Sequence, residues 1–163
     1  MNDHDSDYFL VWTCTGGNWV SGQDYPDLPP PRDEYSFMLR LQKGGFAGKA
    51  DFVVSGSDLQ EFIGELKAFY EDFFQEIGPE IELRVAPPQG YGDLFILNLT
   101  RRNRQGDVKI ECRVSRTVFD GHTDELQVQG ILSIMSVDEM TRFLENALTF
   151  PDSPQTLSLG QKV

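Results

Sequence analysis

Between residues 37 and 42 the chain alternates, with Phe37, Leu39 and Leu41 set against Met38, Arg40 and Gln42. That is the period of a strand with one buried face. Gly44-Gly45 follows as a hairpin signal, and a second strand is expected from Phe46 to Val54. The period then changes. Leu59, Phe62, Ile63, Leu66, Phe69, Tyr70, Phe73 and Phe74 recur at helical spacing, which predicts an amphipathic helix over 57–76 with its aromatic stripe in the core. Ser57 and Gln60 stand in capping-box relation at its start, and Gly78-Pro79 ends it.

Strand patterns return at 81–85, 94–100, 108–114 and 126–135, separated by Pro87-Pro88, by a turn from Arg102 to Gly106, and by a polar loop opening on Asp120-Gly121. Ser136 and Glu139 form a second capping box. Val137, Met140, Phe143, Leu144, Ala147 and Leu148 then predict a closing helix over 136–149. Both helices follow a strand and open on Ser, which suggests a duplicated strand-then-helix unit. Upstream, Tyr8 to Cys14 is a candidate first strand. The stretch 15–34, with its Gly and Pro residues, is expected to be an irregular connection, and 1–7 and 152–163 are expected to be loose. Short connections between successive strands favour antiparallel pairing. The expected fold is α+β, a largely antiparallel sheet or open sandwich with two amphipathic helices packed on it, in one domain spanning 1–163.

Charge narrows the partners. A formal net charge of -12 repels phosphate backbones and anionic lipid, so neither nucleic acid nor a membrane is expected. A cationic protein is the natural complement, while a bare solubility role for the acidity stays open. Met1 to Asp7 lacks the basic and apolar regions of a secretion signal, and no run of about 18 apolar residues occurs, so the expected compartment is the cytoplasm. Cys14 and Cys112 lie in apolar strand patterns and read as buried free thiols.

No catalytic constellation stands out. Gly90-Tyr91-Gly92 lacks the Lys and Ser/Thr of a phosphate loop. His4 and His122 are the only histidines. The loop Asp120-Gly121-His122-Thr123-Asp124 falls short of a calcium or zinc ligand set, so neither a cofactor nor a metal is expected. Glu80 and Glu82 share a strand face, but carboxylates are common throughout this chain.

The first helix carries a distinctive face. Glu61, Glu65, Glu71 and Asp72 project opposite the aromatic stripe, together with Gly64 and Ala68. Glu61 and Glu65 are a like-charge pair one turn apart, which costs about 0.2–0.5 kcal/mol. Glu71 and Asp72 oppose the helix dipole, and Gly64 costs about 1 kcal/mol relative to Ala. Small residues flanked by acids form a surface on which a basic partner could lie closely. An ordinary solvated acidic face accounts for the same residues. The loop residues Asp120, Asp124 and Glu125 are the second candidate surface.

From Phe37 to Phe150 the succession of elements resembles the WapI-type immunity proteins of bacterial polymorphic toxin and contact-dependent inhibition systems. The resemblance is carried by "SDLQEFIGELKAFYEDF", "GDLFILNLTRR", "GDVKIECRVS", "LQVQGILSIMS" and "VDEMTRFLENAL". It implies a non-enzymatic cytoplasmic antidote that binds a cognate toxin domain, often a basic nuclease, and it transfers no site residues. Two other readings remain. One is a carbohydrate- or peptide-binding module using Trp19, Tyr25 and Tyr91; the other is a small-molecule enzyme with a pocket between helix and sheet.

Overall fold

The computed structural model describes residues 8–18, 34–43, 46–75, 80–85, 92–117, 123–153 and 155–160. In order these form β1 (Tyr8–Asn18), β2 (Glu34–Lys43), β3 (Phe46–Ser55), α1 (Gly56–Glu71), β4 (Glu80–Val85), β5 (Gly92–Arg101), β6 (Asp107–Thr117), β7 (Thr123–Ser133), α2 (Ile134–Thr149) and β8 (Gln155–Gly160). Two four-stranded sheets result, β3-β2-β1-β8 and β4-β5-β6-β7, with every pairing antiparallel. The fold is α+β, with both helices packed on the sheets, as the hydrophobic periods require. Phe62, Phe69, Phe73 and Phe143 are all buried.

Several boundaries differ from the sequence reading. The tail was expected to be loose from 152, yet Gln155–Gly160 is β8, paired with β1 and burying Leu157 and Leu159. Its six residues offer only two apolar positions, too few to announce a strand, and its stability comes from the edge of β1. The connection expected from 15 begins later, because β1 continues to Asn18 across a bulge between Cys14 and Gly16. The fourth strand pattern runs to 135, but β7 ends at Ser133.

Both helix starts shift for one reason: a strand feeds each helix through a serine that is still extended. Ser55, not Ser57, caps α1, its Oγ accepting from the Asp58 N–H at 3.1 Å. Ser133, not Ser136, caps α2, accepting from the Met135 N–H at 3.2 Å. At the far end α1 stops at Glu71 instead of 76. The Asp72 N–H closes on the Ala68 carbonyl at 2.8 Å, and the Arg101 guanidinium donates to the carbonyls of Phe73, at 2.8 Å, and Gln75. The first bond closes the last turn of the helix, and the other two hold the turn beyond it.

The order of elements repeats over more than strand-then-helix. Reading β8 before β1, each half is a short edge strand, three long strands and a Ser-capped helix. Registers coincide: the inward row Leu157, Trp12, Leu39, Ala50 of one sheet matches Leu83, Leu97, Cys112, Val128 of the other. All eight side chains are buried. The interval from Ser55 to Ser133 is also that from Gly48 to Leu126 and from Lys67 to Glu145. Both latter pairs meet. A Cβ added to Gly48 would lie 2.3 Å from the Leu126 Cδ2, and Lys67 Nζ bonds Glu145 at 2.8 Å. Residues at corresponding places in the two halves thus touch each other. One core fills the space between sheets and helices. At its centre the Trp12 ring meets Phe37, Phe52, Phe95 and Phe143 at centroid distances of 5.6 to 6.0 Å.

Candidate functional site

Leu59, Phe62, Ile63, Leu66 and Phe69 commit one side of α1 to the core. At about 3.6 residues per turn the opposite side must carry Glu61, Gly64, Ala68 and Glu71. These four and Asp72 are exposed, and Glu65 is half-buried at one shoulder. The structure therefore gathers six of the nine predicted partner-binding residues on one face.

That face is uncompensated. Lys67, the sole cation of α1, turns to Glu145 on α2 at 2.8 Å. Among the described residues none of Glu61, Glu65, Glu71 and Asp72 forms an ion pair. Partial burial, and then the neighbouring Glu61 carboxylate, raise the Glu65 pKa. No basic residue occupies the last turn, so Glu71 and Asp72 face the negative end of the helix dipole unaided. A Cβ on Gly64 would meet nothing within 4 Å. Among the described residues no close approach accounts for glycine at that position.

The second candidate surface is not assembled with the first. Asp120 lies outside the described residues. Asp124 and Glu125 belong to β7 and not to a loop, because the ladder with β6 extends to Thr117↔Thr123. Glu125 sits 4.0 Å from Arg113 on β6. Trp19, Tyr25, Tyr91, His4 and His122 also lie outside the described residues.

Exposed apolar side chains at the junction of the helices were missed by sequence reasoning. Tyr70, Met135 and Phe74 are 39%, 51% and 62% exposed. The Tyr70 hydroxyl lies 3.8 Å from the Met135 Sδ. Tyr70 and Phe74 had been assigned to the buried stripe. The stripe breaks because α1 ends at Glu71, so Phe73 turns inward and Phe74 outward, their rings meeting edge to face at 5.0 Å.

Little nucleophilic chemistry is offered elsewhere. Cys14 and Cys112 are free and buried. Desolvation pushes the Cys112 thiol far up. Burial also raises the Cys14 thiol, against a backbone hydrogen bond at Gly16 and with a smaller push from Asp152. Thiols held protonated are poor nucleophiles. Among the described residues no three His, Cys, Asp or Glu side chains gather as a cation site. A cleft of about 540 Å³ on the outer face of the first sheet is lined by Val11, Arg40, Lys49, Thr156 and Ser158, and one of about 490 Å³ between α2 and β8 by Arg142, Asn146 and Gln155. Neither contains a pair of carboxylates or a histidine for acid–base work. Among the described residues no helix is long and apolar enough to cross a membrane.

Compared with protein-family models and with curated protein sequences, the chain matches none.

Proposed function

We propose that this protein is a non-enzymatic, cytoplasmic, immunity-type binder that neutralises a cognate cationic toxin domain by forming a tight complex. The observation that carries the reading is the exposed face of α1. Four carboxylates with no ion pair among the described residues flank an exposed Gly64 and Ala68 in a chain of net charge -12. Each choice costs the isolated helix, by like-charge repulsion, by an opposed dipole, or by glycine entropy. A partner that supplies cations and packs its backbone near Gly64 offsets all three at once. Complementary charge also raises the rate of encounter and rejects like-charged competitors. The resemblance to WapI-type immunity proteins points the same way.

The test is co-expression with the C-terminal domain of a toxin encoded in a neighbouring reading frame. The expected result is a stoichiometric complex on gel filtration and survival of cells that the toxin domain alone kills. A neighbouring toxin domain that this protein neither binds nor neutralises would count against the reading.

A further inference from the structure

At the surface Tyr70, near the end of α1, meets Met135, at the start of α2, and Phe74 stands exposed in the turn that follows α1. Phe74 is not a loose tip. Its turn is fixed by the Gln75 N–H on the Asp72 carbonyl at 3.0 Å, and by Arg101, which holds the carbonyls on both sides of Phe74. Buried Phe73 backs its ring edge to face. Tyr70 is held in turn through its hydroxyl on the Met135 sulfur. A rigid, presented aromatic beside a polarizable methionine is the composition of a binding hot spot, and it loses little side-chain freedom on docking.

The charges around the patch select its occupant. Glu71 and Asp72 stand three and two residues before Phe74 and have no ion-pair partner among the described residues, whereas on α2 Asp138 is already paired with Arg142, and the Arg101 guanidinium beside Phe74 is engaged by the carbonyls of Phe73 and Gln75. A second copy of this chain would bring more acid to the same place.

We propose that Tyr70, Phe74 and Met135 form the apolar anchor for the cationic toxin domain, taking an apolar side chain of the partner while Glu71 and Asp72 meet cations at its rim. The proposal rests on the immunity reading and adds a division of labour to it. Acids on α1 govern how fast the complex forms, and the anchor governs how long it lasts.

The experiment measures association and dissociation rates by surface plasmon resonance, with a catalytically inactivated toxin domain from the neighbouring reading frame as probe. Phe74→Ser is expected to speed dissociation at least about tenfold and to change association less than about twofold. Val53→Ser, at another exposed apolar residue, on β3, is expected to change neither rate. Near-UV circular dichroism of Phe74→Ser should match the unaltered protein, since the side chain is mostly solvated. If Phe74→Ser stays folded and dissociates at the unaltered rate while the unaltered complex is tight, the anchor is wrong and the immunity reading stands. If the unaltered protein binds no such domain, the functional reading fails and the anchor with it.

Discussion

Replacing Gly64 with Ala separates what the fold needs from what a partner needs. The position lies inside α1, it is exposed, and a Cβ there would have no neighbour within 4 Å. The substitution therefore introduces neither a clash nor a packing gain. What remains is backbone entropy, for which Ala in a helix interior is worth about 1 kcal/mol over Gly. For a chain of this size that should raise the thermal midpoint by about 2–4 °C, with an unchanged urea m-value. Urea and thermal unfolding followed by far-UV circular dichroism read both quantities. The same methyl lies on the proposed docking face, so the more stable variant should bind the toxin domain more weakly. A variant no more stable than the original would refute the helical, solvent-facing placement of Gly64. A more stable variant with unchanged affinity would refute close approach of a partner at that point.

Three further outcomes follow from particular contacts. Glu65 has a raised folded-state pKa, so it favours folding while protonated, and that contribution is lost as pH rises through the carboxyl range. Glu65→Gln should therefore raise the thermal midpoint near about pH 7 and leave it unchanged near about pH 3, where the carboxyl is already neutral; an equal effect at both would sink this assignment. Leu157→Ala should cost about 2–5 kcal/mol in urea unfolding because β8 buries that side chain in the common core, and a loss well under that range would mean that β8 is not integral. Gly48→Val should cost up to about 3 kcal/mol by pressing on the Leu126 side chain, and Leu126→Ala should recover part of it; strict additivity of the two changes would contradict the contact.

Local periodicity carried most of the fold. Alternation at 37–42 and 108–114, and helical spacing at 59–69 and 137–148, led directly to β2, β6, α1 and α2. What failed depended on distant partners. β8 has only Leu157 and Leu159 to bury, and it becomes a strand because β1 offers an open edge across nearly the whole length of the chain. The caps at Ser55 and Ser133 were displaced because Ser57 and Ser136 match the capping-box spacing equally well, and only the continuing strands decide between them. The acidic face of α1 was legible, since its residues follow from the phase of the buried stripe. The anchor was not. Arg101 reaches from β5 to bond carbonyls of the turn after α1, and in that turn Phe74 faces outward against its local hydrophobicity.

The central claim is that carboxylates on α1 steer a cationic partner, and the salt dependence of association tests it most directly. Stopped-flow association of the toxin domain should be measured with the unaltered protein and with Glu61→Lys/Glu65→Lys, from low to physiological ionic strength. Glu61 is exposed and Glu65 only half-buried at the shoulder of the helix, so folding should be retained. The account predicts that the unaltered pair associates fast at low salt and slows as screening shortens the Debye length to about 8 Å. The doubly reversed protein should associate slowly throughout, with little response to salt and with dissociation much less affected. A folded double variant that associates at the unaltered rate, with the same salt dependence, would show that this helix is not the steering surface.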